Sequence, residues 1–491
     1  MDRVIKTYGK IVRLHPSGFW PGFIIGLVYF SYIFSWIWAV SPANAFEITN
    51  KPVGLFLIFV VFSITVATAA IFWGLFSFFG RRIVRGQTNQ YIAPLYLASV
   101  FVLVEYLRAW GMGLVWLGNG SFLGPHWTFG NPAYLLSFLP WIVKTSSVWG
   151  IYGIDFLIIF LLSSLALGIK KEAINRRILL GEILLIPIIL LTANSITPDK
   201  QQGTPLTVSV IQTEKPAKIN YSPEELLTSF GQENTLLKSV SKNSDIVIFP
   251  ETANFSQTLS EFLNPTMVQK YFSSLNPKNI LVVDSNSIPE ADGLKSKVLF
   301  VDSQNGIAGT YDKKLLSPMG EFLPYIFKLP LSFFKSFNNN NFSTPEFTPG
   351  SGSNIVSSQD NRIKLLVCSD IVSPSLGQEG VFDFMIALSS LGIFNGNNRI
   401  ANEMVDAARF RATENGKYLI LASNYNRSYI INPDGQIEKS TPENGYQILT
   451  ASIVPNKTRT WYNRLGDLPI LLLSLAIFGL GFKNYLHAKQ D

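Results

Sequence analysis

Two kinds of hydrophobic pattern divide the chain. Uninterrupted apolar runs of about 20 residues, the length that crosses a bilayer, crowd the N-terminal part and return once near the C-terminus. Between them the pattern changes to short strand-like runs separated by turn residues and helical stretches, which predicts a layered α/β domain. We therefore expect a membrane domain over residues 1–200 with about five transmembrane helices, an α/β domain over 203–457, and a C-terminal transmembrane helix with a short tail over 458–491.

The loops between the predicted spans alternate in charge. The predicted spans are residues 18–40, 53–79, 91–110, 145–169, 177–195 and 467–483. Basic residues cluster before the first span, between the second and third, and between the fourth and fifth, whereas the other two loops hold only Lys51 and Lys144. Because basic loops stay in the cytoplasm, we predict a multi-pass protein of the cytoplasmic (inner) membrane with both termini cytoplasmic and the α/β domain extracytoplasmic.

One pair of ionisable residues falls inside a predicted span. Glu105 and Arg108 lie three residues apart near the end of the third span, so they share a helix face. Charges at that depth either face a protein interior and mark function, or snorkel toward the interface, and the spacing leaves both readings open. The aromatic, Gly- and Pro-rich loop 111–144 that follows is predicted to dip into the headgroup region and help form a lipid entrance.

The composition removes several classes of function. The net charge of +7 comes with basic residues beside apolar spans, which favours a membrane partner and no nucleic acid. Cys368 is the only cysteine, so no internal disulfide or Cys-x-x-Cys site is expected. None of the three histidines lies in 203–457, which excludes Ser-His-Asp, Cys-His and histidine-zinc chemistry from that domain. We predict neither a metal nor a cofactor.

The single cysteine raises the question of its role. Cys368 ends the apolar run "IKLLV" and is either a small buried hydrophobe or a nucleophile. Without histidine, a nucleophile here needs a carboxylate as its base and a lysine or arginine as its electrostatic partner. Glu251 in "DIVIFPE" and Lys313 in "GTYDKKLLSPMGEFLPY" both follow predicted strands, as Cys368 does. Ligand sites of α/β sheets form at such strand ends.

These residues resemble the carbon-nitrogen hydrolase (nitrilase) superfamily, whose Glu-Lys-Cys triad has this chain order. The closer resemblance is to the apolipoprotein N-acyltransferase family, in which such a domain lies between membrane spans. Its motifs follow in family order here as "EYLRAWGMGLVWL", "FPE", "YDKKLLSPMGEFLP", "RFRATENGKY" and "TRTWYNRLGD". The resemblance implies a multi-pass α-helical membrane bundle plus a nitrilase-like αββα sandwich.

The resemblance also assigns residue roles. Glu251 matches the general base, Lys313 the triad lysine, Cys368 the nucleophile, and Glu321 an auxiliary glutamate. Lys313 is preferred over its neighbour Lys314 because it stands two residues after the tyrosine of the motif, as the family's lysine does.

The resemblance implies an activity and partners as well. It implies a phospholipid acyl donor and, as acceptor, the α-amine of the lipidated N-terminal cysteine of a diacylglyceryl-modified lipoprotein, with a cysteine thioester between the two steps. Ser369 and Asp370 stand where the family usually has tyrosine and glutamate, and are expected to line the acyl or acceptor pocket. We expect a monomer. The alternatives are a membrane-anchored hydrolase or amidase with the same triad, and a catalytically inactive lipid-binding homologue.

Overall fold

The structure is a computed structural model. It describes residues 18–43, 46, 48, 50–85, 92–170, 203–218, 221–333, 346–358, 360–442 and 445–487. The predicted span 177–195 lies outside these residues, so that prediction is untested.

Ten longer helices and twelve strands make up the described parts of the chain. The helices are α1 (Phe19–Ile33), α2 (Lys51–Arg85), α3 (Ala93–Val115), α4 (Ser146–Lys170), α5 (Pro223–Val240), α6 (Phe255–Phe262), α7 (Pro265–Leu275), α8 (Tyr325–Phe333), α9 (Asn398–Asn415) and α10 (Leu468–His487). The strands are β1 (Leu206–Gln212), β2 (Ile246–Ile248), β3 (Leu281–Glu290), β4 (Gly293–Asp302), β5 (Gly306–Asp312), β6 (Ile355–Ser358), β7 (Asn361–Val367), β8 (Phe384–Ser390), β9 (Leu419–Asn424), β10 (Tyr429–Ile431), β11 (Ile437–Ser440) and β12 (Gln447–Ile453).

Five of the described helices are long and apolar enough to cross a membrane. They are α1 with its 3-10 extension to Val40, α2, α3, α4 and α10. They overlap the predicted spans outside 177–195, although α2 continues to Arg85 where the prediction ended at residue 79. The apolar run ends before the helix does, because Arg81, Arg82 and Arg85 form a polar last turn.

The α/β part contains two six-stranded sheets. Their strand orders are β12-β1-β2-β3-β4-β5 and β11-β10-β9-β8-β7-β6. Successive side chains on a strand point to opposite faces, so Ile363, Leu365 and Val367 of β7 enter the core between the sheets together with Ile246 and Ile248 of β2. This interlayer core holds the two sheets face to face.

Helices cover the outer face of each sheet. Helices α5, α6 and α7 pack on the sheet that contains β2. Helix α9 packs on the sheet that contains β7, and the same apolar cluster includes Val102 of α3, Ile151 of α4 and Ile470 of α10. The predicted αββα sandwich is confirmed, and its outer layer is continuous with the membrane helices.

The segment 317–350 is rich in Phe, Pro, Asn and Ser, which predicts one long mobile excursion, but it has regular structure where it is described. A turn over 317–322 is followed by α8, and the backbone N–H of Phe347 donates to the Glu321 carbonyl at 2.8 Å. The sequence missed α8 because "YIFKLPLSF" contains a proline and reads as a loop.

The loop 111–144 packs against the α/β domain. It contains two short helical segments, Pro132–Leu136 and Pro140–Val143. The Thr128 hydroxyl donates to the Val372 carbonyl, and the Ser137 hydroxyl donates to Asp406 Oδ1 at 2.6 Å. The loop is therefore a bridge between the two parts of the protein, and its predicted role as a lipid entrance stays a prediction.

Candidate active site

Glu251 follows a fully buried strand and turns back toward the sheet interface. Thr252 has φ +65°, which is unusual for a β-branched residue, and this conformation forms the turn directly after the glutamate. The Glu251 Oε2 accepts a hydrogen bond from the backbone N–H of Ser390 at 2.9 Å, at the end of β8. Its Oε1 lies 3.0 Å from the Nζ of Lys313. The carboxylate is thus fixed at both oxygens.

Lys313 lies between two carboxylates. Its side chain is buried, and its Nζ lies 3.0 Å from Glu251 and 2.8 Å from Glu321. Burial by itself would lower the pKa of the lysine, but Glu251 and Glu321 together raise this pKa well above its ordinary value. Lys313 therefore stays protonated. The neighbouring Lys314 reaches a different partner, with its Nζ 3.9 Å from Glu379.

Glu321 is held by its own turn. Its Oε2 accepts from the backbone N–H of Ser317 at 2.7 Å while it pairs with Lys313. The turn closes through the N–H of Met319, which donates to the Phe322 carbonyl at 2.9 Å. Met319 has φ +66°, so a side-chain-bearing residue adopts a left-handed conformation to aim the glutamate inward.

Cys368 begins a sharp turn at the end of β7. Its φ is +47°, and the chain enters a 3-10 turn over Cys368–Val372 immediately. Burial first, and then the negative charge of Glu251 and its hydrogen bond with the thiol, raise the pKa of Cys368; the charge of Lys313 acts in the opposite direction. The resting cysteine is therefore a neutral thiol beside a carboxylate that can accept its proton.

The structure brings together the four residues expected at the centre of the site. Three of them follow strands and the fourth lies in a turn, and all four interact through the contacts above. These residues are Glu251, Lys313, Cys368 and, in the turn, Glu321. Sequence reasoning missed the backbone N–H of Ser390 as the second anchor of Glu251. The signal was available, because Ser390 ends the predicted strand "DFMIALSS" at the same sheet edge.

Ser369 and Asp370 both make hydrogen bonds within the protein. Both are buried. The Ser369 hydroxyl donates to the Leu315 carbonyl. Asp370 accepts from the Tyr311 hydroxyl at 2.8 Å, from the N–H of Leu315 at 3.0 Å and from the N–H of Val367 at 3.1 Å.

These contacts give Ser369 and Asp370 partners within the protein, and their predicted part in lining the acyl or acceptor pocket stays a prediction. Both side chains connect the turn that carries Cys368 to the segment that follows Lys313. A short side chain satisfies the backbone groups there.

Glu105 and Arg108 form a buried pair within the bundle. The Arg108 Nη2 lies 2.8 Å from Glu105 Oε2, with the side chains 1% and 0% exposed. Glu105 also accepts from the indole N–H of Trp73 at 2.9 Å, and Arg108 donates to the Phe129 carbonyl at 2.8 Å. Because both side chains are buried inside the protein, they do not snorkel toward the membrane interface. The pair fastens the loop 111–144 to α3, and its part in substrate binding stays a prediction.

Comparison with known proteins shows the family of the chain and its relatives. A family model described as carbon-nitrogen hydrolase matches residues 191–463, more than half of the chain. An apolipoprotein N-acyltransferase of Haemophilus ducreyi is 24% identical over 439 residues, covering 85% of this chain and 79% of the relative. That of Vibrio vulnificus is 27% identical over 511 residues, covering 96% and 90%.

One solved structure of similar fold is a CN-hydrolase superfamily protein of Xanthomonas campestris. It is 16% identical, covers 57% of this chain and 97% of its own, and gives a TM-score of 0.37. The family match over residues 191–463 shows that the chain belongs to the carbon-nitrogen hydrolase family.

Proposed function

We propose that this protein is an N-acyltransferase that moves an acyl chain from a phospholipid to the α-amine of the lipidated N-terminal cysteine of a lipoprotein. The observation that carries the proposal is the neutral Cys368 thiol beside Glu251 and a lysine held between two carboxylates. This site lies on a domain whose outer layer packs against the membrane helices. Relatives that match most of the chain carry the name apolipoprotein N-acyltransferase.

The first half-reaction forms a thioester. Glu251 takes the thiol proton as the Cys368 sulfur attacks the ester carbonyl of the phospholipid. The protonated Lys313 and the backbone N–H of Ser369 stabilise the oxyanion; losing one such donor typically lowers the rate by about 10²–10³-fold. Collapse of the intermediate breaks the ester bond, and the leaving lysophospholipid oxygen receives the proton from Glu251.

The second half-reaction transfers the acyl group. The neutral α-amine attacks the thioester carbonyl, and Glu251 accepts the proton that the amine loses as the amide forms. The Cys368 thiolate leaves and recovers that proton, which restores the neutral thiol. Donor product leaves before acceptor binds, so the order is ping-pong.

Charge conservation supports this division of roles. Glu251 alone exchanges protons with Cys368, the leaving oxygen and the attacking amine, while Lys313 remains charged throughout. The net charge of the enclosed cluster is therefore the same in the resting enzyme and when the thiolate forms, which avoids building a second uncompensated charge in a low-dielectric site.

The cellular setting is part of the proposal. We place the catalytic domain outside the cytoplasm with the chain spanning the inner membrane, because the basic loops alternate as the positive-inside rule requires. All four central side chains belong to one chain, and we propose that a monomer acts.

The test follows the acyl group to its acceptor. Full-length protein in phospholipid nanodiscs is incubated with a synthetic diacylglyceryl lipopeptide, and the peptide mass is measured. We expect one added acyl chain on the α-amine, none on a matched peptide whose amine is acetylated, and none with Cys368→Ala. Release of free fatty acid at the same rate with and without peptide would instead identify a hydrolase, and a wild type equal to Cys368→Ala would identify an inactive homologue.

A further inference from the structure

A phenylalanine of the α/β domain is enclosed by two glycines of the loop 111–144, here called the membrane-side loop. Phe322, which follows Glu321 directly, is 3% exposed. A Cβ added at Gly118 would lie 2.8 Å from the Cδ2 and Cε2 atoms of this ring, and one added at Gly120 would lie 2.8 Å from its Cγ and Cδ1. Only glycine permits so close an approach of backbone to ring.

Further contacts join the same two segments. The backbone N–H of Tyr325 donates to the Leu117 carbonyl at 2.7 Å, and the Tyr325 hydroxyl donates to Asn119 Oδ1 at 2.6 Å. The rings of Trp116 and Phe327 stack with centroids 6.1 Å apart. The ring of Phe322 is thus one part of a continuous seam between the end of α3 and the segment from Glu321 to Phe327.

The seam leads directly to the charged cluster. The Phe322 carbonyl accepts the hydrogen bond from Met319 that closes the turn. The same turn places Glu321 on the N–H of Ser317 and on the Nζ of Lys313. A displaced Phe322 therefore cannot leave Glu321 in its place.

We propose that Phe322 is a positioning residue: the packing of its ring between Gly118 and Gly120 holds Glu321 against Lys313. The membrane-side loop is therefore part of the active-site scaffold. This inference rests on the proposed function for its activity readout. It predicts that one methyl group added at Gly120 lowers the rate of thioester formation by displacing Glu321.

The first experiment places a methyl group in the seam. In full-length protein in phospholipid nanodiscs, Gly120→Ala should lower the rate of thioester formation by about 10²-fold, the scale of a misplacement of about 1 Å. Gly231→Ala and Gly479→Ala are the matched controls, because a Cβ at either position meets nothing within 4 Å, and both should keep the wild-type rate. A Gly120→Ala rate equal to that of the controls would overturn the proposal.

A double-mutant comparison separates positioning from general damage. In the Glu321→Gln background, adding Gly120→Ala should lower the rate by less than twofold, because the residue through which it acts has already lost its charge. A full additional loss of about 10²-fold would overturn the proposal.

A second readout does not need acyl transfer. The negative charge of Glu321 helps to raise the pKa of Cys368, so Gly120→Ala and Glu321→Gln should both speed alkylation of the thiol by iodoacetamide, about tenfold for each unit by which the pKa falls. An accelerated Glu321→Gln beside an unchanged Gly120→Ala would overturn the proposal. If the wild type forms no thioester, the proposed function fails while this readout still decides the positioning role.

Discussion

At the scale of single residues, the site holds a proton donor and a proton acceptor side by side. Burial, partly offset by Lys313, raises the pKa of Glu251, and burial together with Glu251 raises that of Cys368. The thiol is therefore inert until its neighbour removes the proton. This arrangement suits an enzyme whose nucleophile must attack a bound ester and must not react with small electrophiles.

The raised pKa of Glu251 predicts the acid side of the pH profile. Glu251 accepts the thiol proton only when it is ionised, so thioester formation should fall as the pH drops through its pKa. The midpoint should lie above the ordinary glutamate value of about 4.3. Initial rates over about pH 4–8 would measure it, with Glu251→Gln losing both the rate and this limb. A midpoint at or below the ordinary value would contradict the assignment.

Asp370→Asn tests the positioning role of that carboxylate. The Oδ1 of Asp370 accepts a hydrogen bond from the N–H of Leu315, and its Oδ2 accepts from the Tyr311 hydroxyl and the N–H of Val367. An amide has one acceptor oxygen, so one buried N–H would face a donor, at a cost of about 1–3 kcal/mol. Thermal unfolding in detergent should show the loss, whereas Asp360→Asn, at an exposed turn, should show almost none. Equal melting temperatures for the two variants would refute the role.

At the scale of elements, helix α9 joins the sandwich to the bundle. Its Arg411 and Glu414 form a fully buried pair, with Nε and Oε2 2.8 Å apart. Helix α4 is interrupted at Gly150, where φ is +66°, and the next N–H, that of Ile151, donates to Glu414 at 3.2 Å. One glutamate thus pairs with a buried arginine and accepts a hydrogen bond from a kinked membrane helix.

Glu414→Gln should therefore be strongly destabilising. It removes one partner of a buried ion pair, which typically costs about 3–5 kcal/mol. Equilibrium unfolding in detergent would measure the change. The control is Glu346→Gln, which breaks the exposed pair with Lys328 (2.8 Å) and should cost about 0–1 kcal/mol. A Glu414→Gln loss no larger than that of the control would show that α9 does not depend on this pair.

The sequence predicted the elements with strong periodicity. The apolar pattern of "IKLLVCSD" predicts a strand, which is β7. Amphipathic periodicity predicts helices near 223–241 and 398–416, which are α5 and α9. Strand β11 was missed because its "IEKS" is short and exposed, and gains its order from pairing with β10.

The site was less predictable than the strands. The order of the motifs predicted that one site contains Glu251, Lys313, Glu321 and Cys368, and the structure brings these residues together. The inward direction of Ser369 and Asp370 was not accessible, because it depends on where Leu315 and Tyr311 lie after folding. The seat of Phe322 was also hidden, since Gly118 and Gly120 are distant in sequence from residue 322.

At the scale of the whole molecule, the proposal requires a defined topology. Cys368 is the only cysteine, so Cys368→Ala gives a background for single labelling sites. In that background, Lys242→Cys on the α/β domain should react with an impermeant maleimide in intact cells. Arg85→Cys, at the end of α2, should react only after permeabilisation. Both positions are exposed. The reverse pattern would place the catalytic domain in the cytoplasm.

The central claim is that Cys368 carries the acyl group. The most direct test is the intact mass of purified protein after incubation with phospholipid, beside Cys368→Ala and Glu251→Gln. We predict a hydroxylamine-labile adduct with the mass of one acyl chain on the wild type and on neither variant. No adduct on the wild type with any of several phospholipids, or an equal adduct on Cys368→Ala, would contradict the account.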